Sequence, residues 1–191
     1  MSIWFVPRDA AARSMGADAV ANALEARGET VIRNGSRGML WMEPLLERAD
    51  DRHGPRVGWS SVSAGQIDAG WPDEQSDNFI GAVEGVDYLA KQNRWIYERV
   101  GITDPVDPED YVAHGGLTGL KNALAMSGGN VVQAVTDSGL RGRGGAGFPA
   151  GIKWRTVADQ PPAPHAGESP SAPTHKYICV NADEGDSGTF A

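Results

Sequence analysis

Short apolar runs and helical stripes alternate along the first seventy residues. Ile3 and Phe5, with their neighbours, predict a strand ending at Pro7 and Arg8, and Asp9 stands where a cap for the next helix belongs. From Ala10 to Arg27, apolar residues at Met15, Ala19, Val20, Ala23 and Leu24 form one helical stripe closed by Gly28. Thr30 to Arg33 predicts a second strand, and Asn34-Gly35 turns the chain. Leu45 to Arg48 and Arg56 to Ser60 are spaced for a hairpin around Asp50, Asp51 and Gly54. Ser63 to Ala69 reads as a short helix with Ser63 as its cap.

Beyond this the pattern loosens. Trp71 to Asp77 begins a linker. Gly85 to Val100 holds Tyr88, Leu89, Trp95, Ile96 and Tyr97, which predict an anchoring helix. Pro105 and Pro108 mark the entry to a helical region at Asp107 to Val112. Leu117, Leu120, Ala123 and Leu124 share a helix face, Gly128-Gly129 breaks it, and Val131, Val132, Ala134 and Val135 set up another helix. Gln160 to His175 is rich in proline and small polar residues and reads as an exposed loop.

Between the last of these helices and the proline-rich loop lies Gly139 to Trp154, with glycines at 139, 142, 144, 145, 147 and 151 and Arg141, Arg143 and Lys153 among them. Glycine costs backbone entropy, so such density needs a reason. One is that main-chain N–H groups must close on an anion without Cβ atoms in the way; the other is a flexible connector. Gly142, Gly144 and Gly147 satisfy G-x-G-x-x-G, but the Rossmann form requires a strand before the loop. A helix precedes it here, so the segment reads as a nucleotide cradle of another architecture.

Net charge is −8, which argues against a nucleic-acid binder, and no apolar run approaches the ~20 residues of a membrane span. With no basic, apolar leader at the N-terminus, a soluble cytoplasmic protein is expected. The single cysteine, Cys179, cannot by itself hold an iron–sulfur cluster. The order β-α-β-loop-β-β-α is that of a thioredoxin-like domain, and the absence of a C-x-x-C excludes thioredoxin chemistry. His165 and His175 lack ligand-spaced partners, so no metal site is expected.

The glycine run resembles the signature of the NADH-oxidising flavin subunits of respiratory complex I, NAD-reducing hydrogenases and NAD-dependent formate dehydrogenases. A second block, Lys176-Tyr-Ile-Cys-Val-Asn-Ala-Asp-Glu-Gly-Asp-Ser-Gly-Thr-Phe190, is similar to the strand that lines the flavin in that family. Ile3 to Asp9 and Ser14 to Asp18 resemble the start of the formate dehydrogenase β subunit, and Asp107 to Gly116 resembles the lead-in to the flavin domain. Ala150 stands where the family often has Thr, and Ser187 where it commonly has Pro. Family members continue beyond the equivalent of Ala191, so the chain is expected to be the N-terminal portion of a longer subunit.

The resemblance implies an α/β chain in three parts. These are a thioredoxin-like domain without a [2Fe-2S] cluster over 1–73, a helical linker and lead-in over 74–126, and the beginning of a Rossmann-like FMN- and NAD-binding domain over 127–191. It implies FMN and NAD as cofactors, with a [4Fe-4S] cluster only in further C-terminal sequence. It implies two partners: a molybdenum- or tungsten-containing formate dehydrogenase α subunit and a small [2Fe-2S] γ subunit. The flavin site would draw on Gly142, Arg143, Gly144, Gly145, Ala146 and Gly147, with Lys153 beside the flavin or as a solvated helix lysine. Phe148 would stack on the NADH adenine or serve as a core aromatic. Asn181 and Asp183 would contact FMN, and Glu184 and Asp186 would lie toward the nicotinamide nucleotide. No protein nucleophile is needed, because the hydride passes between cofactors. The activity implied is a diaphorase linking iron–sulfur clusters, FMN and NAD⁺ in formate dehydrogenase. An NAD-reducing hydrogenase subunit, or a docking scaffold for this stretch alone, remains the alternative.

Overall fold

The computed structural model describes residues 2–70, 73–143, 145–162, 167, 169, 171, 174, 176 and 177. The chain divides into two compact units, one up to Gly116 and the other from Leu117.

In the first unit, strands β1 (Ile3–Phe5), β2 (Thr30–Ile32), β3 (Leu46–Ala49), β4 (Val57–Trp59) and β5 (Phe79–Ala82) form one sheet in the order β2-β1-β3-β4-β5. β1 and β2 are parallel, and the other neighbours are antiparallel. The parallel pair needs a crossover, supplied by helices α1 (Ala10–Ser14) and α2 (Ala17–Ala26). With the β3–β4 hairpin and helix α3 (Ala64–Ala69) following, this is the thioredoxin-like arrangement. β5 is an added edge strand, drawn from the stretch expected as linker. Its short run Phe-Ile-Gly-Ala carries no alternation that marks a strand in isolation.

The stripe from Ala10 to Arg27 forms two helices rather than one. Gly16 adopts φ +101°, and the N–H groups of Met15 and Gly16 close the first helix onto Ala12 and Arg13. Left-handed backbone at that point, cheap only for glycine, ends one helix and starts another. Asp9 caps α1 through a bond from Ala12 N. α3 begins with a full capping box: Ser63 Oγ accepts from Gln66 N, and Gln66 Oε1 accepts from Ser63 N.

Side chains alternate across the sheet, and its two faces are built differently. On one face Trp4, Val6, Leu46, Trp59 and Val62 pack with Val20, Leu24 and Ile67 of the helices. Trp4 and Trp59 lie 5.8 Å apart, and Trp59 donates its indole N–H to Asp73 O. Burying such aromatic and aliphatic surface stabilises each side chain by roughly 1.5–3 kcal/mol. On the other face Phe5 and Glu47 are opposite one another, and both are fully buried. Glu47 accepts two bonds from Arg37, at 2.9 and 3.0 Å, and one from Arg56 at 3.1 Å. The Arg56 guanidinium lies 3.5 Å from the Phe5 ring centroid. Burial opposes the Arg37 cation, yet Glu47 and Glu84 leave it more basic than an ordinary arginine. Arg56 is less basic than usual, because burial outweighs Glu47 and the charge of Arg37 adds to it.

Helix α4 (Asp87–Ala90) is a single turn. The anchoring helix expected over Gly85 to Val100 does not form: Trp95, Ile96 and Tyr97 are 85%, 79% and 66% exposed. Tyr88 and Leu89 stand one helical repeat before Trp95 and Ile96, but the turn between them, Lys91-Gln92-Asn93-Arg94, is wholly polar, so the stripe is interrupted. Polar bonds fasten the segment that follows. Asn34 Nδ2 donates to Gly101 O, Gly35 N donates to Thr103 O, and Arg56 donates to Gly101 and Ile102 carbonyls. Helix α5 (Pro108–Ala113) starts at Asp107, whose Oδ1 accepts from the N–H groups of Glu109 and Asp110. Arg52 of the β3–β4 loop pairs with Asp110 at 2.9 Å and Asp107 at 3.3 Å.

These buried and paired charges set two expected outcomes. Glu47→Ala leaves two buried guanidiniums without their shared carboxylate and destabilises the chain by about 3–5 kcal/mol, read as a lower urea midpoint. Burial alone would raise the Asp110 carboxyl, but bonds from Arg52 and Asp104 N outweigh it and hold the group below its ordinary range. Its stabilisation is therefore complete above the unfolded value near ~3.9 and is lost as pH falls through the depressed native value. Between about pH 5 and about pH 3 the native chain loses stability more steeply than Asp110→Asn.

Candidate functional site

The second unit contains helices α6 (Thr118–Leu124), α7 (Gly128–Asp137) and α8 (Ala150–Asp159). Ser127 caps α7 through a bond from Asn130 N, so Gly128 and Gly129 open that helix as its first residues. α7 ends at a turn in which Gly139 N donates to Thr136 O and Gly139 takes φ +68°. The chain then makes a narrow loop and returns into α8. At its base Gly142 N donates to Phe148 O and Ala150 N to Leu140 O, both at 2.8 Å, and Arg141 bridges Pro149.

The glycines of this loop have different physical reasons. Gly139 and Gly147 adopt φ +68° and +54°, conformations that side chains disfavour. Gly151 is buried on the first turn of α8, where an added Cβ would come within 2.6 Å of Thr136 Cα and also strike its side chain. It sets the approach of α8 to α7. Gly142 and Gly145 have neither reason. A Cβ on Gly142 would make ordinary contact, and one on Gly145 would meet nothing within 4 Å. Within the described residues, then, the fold does not require glycine at 142 or 145.

The first turn of α8 supports the same reading. Its N-cap is Pro149, which makes no side-chain capping bond; Ala150 N donates to Leu140 O, and among the described residues no side chain caps the next N–H groups of this ten-residue helix. Such an end favours an anion. Lys153 is exposed on that turn, with Nζ 5.7 Å from the Phe148 ring centroid, within cation–π range. Phe148 is 44% exposed, so its ring is not a core aromatic among the described residues. Arg143, Gly145 and Ala146 are exposed at the apex. Gly144, Asn181, Asp183, Glu184 and Asp186 lie outside the described residues, as does Cys179.

Two roles were not foreseen. Arg141 donates from Nε to Gly147 O at 2.7 Å, bracing the loop across its width. Lys176 donates from Nζ to the carbonyls of Val157 and Ala158, placing a cation at the C-terminal end of α8. For Arg141 the sequence signal is an arginine just before a glycine turn; for Lys176 no local signal exists, because its partners lie 18 and 19 residues earlier.

Comparison with known proteins adds to this geometry. Residues 135–191 match the Nuo51 FMN-binding domain family. The chain is 44% identical over 100 residues to the NADP-reducing hydrogenase subunit HndC of Solidesulfovibrio fructosivorans, covering 50% of this chain and 17% of that protein. It is 44% identical over 79 residues to an NADH-quinone oxidoreductase subunit of Streptomyces coelicolor, covering 41% and 15%. Over 71 residues it is 44% identical to the NAD-reducing hydrogenase HoxS subunit alpha of Cupriavidus necator, covering 37% and 10%. The chain thus spans less than a fifth of each relative. A thioredoxin-like [2Fe-2S] ferredoxin from Aquifex aeolicus aligns with 44% of this chain and 93% of its own at 16% identity and TM-score 0.34, too weak a likeness to carry an argument. The domain and sequence matches support the family of FMN- and NADH-binding flavin subunits. Among the described residues, no helix is long and apolar enough to cross a membrane.

Gly151→Val should force α8 away from α7 and destabilise the second unit by about 1–3 kcal/mol. Thr136→Ala should restore only part of this, since Thr136 Cα is also in the way. Amide hydrogen exchange across α7 and α8 reads both outcomes.

Proposed function

We propose that this chain is part of a diaphorase subunit that binds FMN and exchanges hydride with NAD(H). The observation that carries the reading is the pair Gly142 and Gly145, which neither strain nor packing within the described residues accounts for, on a loop leading into an uncapped helix end. These features fit a phosphate-bearing planar cofactor. Main-chain N–H groups from Arg143 to Gly147, with Gly144 among them, would hold it, while Gly142 N closes the base of the loop onto Phe148 O, and the first turn of α8 would meet its phosphate. When bound, FMN supplies the step between two-electron hydride transfer and one-electron carriers.

The chain's own residues do the positioning. Arg141 keeps the loop narrow, so the backbone lies close to the ligand. Lys153 places positive charge beside it. Phe148 offers an exposed ring face for a nucleotide base. Asn181 and Asp183 would take polar edges of the flavin, and Glu184 and Asp186 would face the nicotinamide nucleotide, whose ribose hydroxyls a carboxylate can accept.

The finer reading is the β subunit of a soluble NAD-dependent formate dehydrogenase, working with a molybdenum- or tungsten-containing α subunit and a small [2Fe-2S] γ subunit. The cysteine-free thioredoxin-like unit supports it. The similarity to HndC and to the HoxS alpha subunit favours a second reading, the diaphorase subunit of a hydrogenase. Molybdenum or tungsten in the native complex supports formate dehydrogenase, and nickel supports hydrogenase.

The cradle itself is tested in the complete subunit within its native complex. Gly145→Val should leave far- and near-UV circular dichroism unchanged, since an added Cβ there meets no neighbour within 4 Å, yet reduce bound flavin by about tenfold or more. Full flavin content in the folded variant would sink the proposal.

A further inference from the structure

The fold of the first unit brings His53 and His114 together although they stand 61 residues apart, so no ligand spacing marks them in the sequence. His53 is in the loop between β3 and β4, where its main-chain N–H is held by Asp51 Oδ1. His114 closes α5 as its C-cap. Both line a cleft of about 300 Å³. His53 Nδ1 and His114 Nε2 face each other at 3.2 Å, with ring centroids 4.8 Å apart and ring planes inclined at 55°. Rings meeting head on in a straight N–H···N bond of that length would have centroids about 5.5 Å apart. The rings are instead splayed. Two imidazole nitrogens on one tetrahedral zinc ion lie about 3.4 Å apart with centroids about 5.2 Å apart, and the observed pair is nearer to that arrangement.

The far nitrogen of His114 is already committed. Nδ1 lies 2.9 Å from Asp110 O and 3.3 Å from Asp110 Oδ1. A carbonyl cannot donate, and although burial opposes the Asp110 carboxylate, bonds from Arg52 and Asp104 N keep it ionised. Nδ1 of His114 therefore carries the hydrogen, and Nε2 turns a lone pair toward His53. An imidazole whose far N–H is held by a carboxylate or a carbonyl is the usual form of a metal ligand. The His53 ring is exposed and the His114 side chain is 16% exposed, so an ion reaches the pair from water. The surrounding charges do not repel a cation. Arg37, Arg52 and Arg56 are each paired with carboxylates, drawn from Glu47, Glu84, Asp107 and Asp110. Arg99 is turned to His114 O, and Asp51 stands beside His53.

We infer that His53 Nδ1 and His114 Nε2 together bind one divalent transition-metal ion of the zinc class, which ties the β3–β4 loop to the end of α5. Imidazole nitrogen suits such ions, and zinc accepts the splayed angle because it has no electronic preference of its own. Among the described residues no group of three histidine, cysteine or carboxylate ligands gathers, so the ion keeps two of its positions for water or an added ligand. The site is separate from the proposed flavin cradle and stands or falls independently of it.

The test is calorimetric titration of the untagged, metal-stripped chain with Zn²⁺ at about pH 7.5, where neutral imidazole is free to ligate. The chain has four histidines, so His165 and His175 are the competing ligands. One zinc ion should bind per chain, and equally tightly when His165→Gln and His175→Gln are combined. His53→Gln, with its fold checked by circular dichroism, should bind zinc about tenfold or more weakly. In the native chain, zinc should shift the ¹⁵N resonances of His53 Nδ1 and His114 Nε2 together and slow amide exchange in the β3–β4 loop and at the end of α5. No zinc binding, unchanged affinity in His53→Gln, binding lost in the His165→Gln and His175→Gln chain, or zinc that leaves both ring resonances in place would each overturn the inference.

Discussion

The structure of the first unit turns on a carboxylate buried in the middle of its sheet. Glu47 sits on β3 between two neighbouring strands, fully out of water, and charges there are tolerated only when paired. Its three bonds draw Arg37 from the loop before the hairpin and Arg56 from the start of β4 onto the same face. Arg56 in turn bonds the carbonyls of Gly101 and Ile102, so the segment after the sheet is placed by polar bonds. A hydrophobic core fixes position loosely; bonds of defined length and direction from a central strand fix it closely.

The apolar half of this fold was legible in the sequence because local periodicity encodes it. Ile3 to Phe5, the hairpin, and Ser63 with its helix all read correctly from spacing and capping chemistry. The polar half was not, because Glu47, Arg37 and Arg56 look like ordinary surface charges until the topology brings them together. Gly16 was visible as a glycine inside a stripe, but its left-handed backbone was not. Trp95, Ile96 and Tyr97 misled for the opposite reason: three large apolar residues suggest burial, yet the polar run Lys91 to Arg94 interrupts the stripe that would bury them.

The candidate site was legible as a motif and illegible as a mechanism of support. The glycine density of 139–151 stands out in any reading, but the sequence cannot divide it by cause. Only the folded geometry separates Gly139 and Gly147, which serve the turn, and Gly151, which serves helix contact, from Gly142 and Gly145, which serve neither. Likewise Arg141 stands in the sequence as one of three cations in the run, and only the fold shows it spanning the loop to Gly147. Asn181, Asp183, Glu184 and Asp186 entered as cofactor contacts through family resemblance.

The contact of Gly151 with Thr136 has a wider consequence. It holds together the two helices from which the loop springs, and the Arg141–Gly147 bond sets the span between them. Changes of chemistry at the apex are then free to accumulate without altering the width of the opening. A lineage, or an engineer, can retune what the ribbon recognises by exchanging residues such as Arg143 or Ala146 while the mounting stays the same.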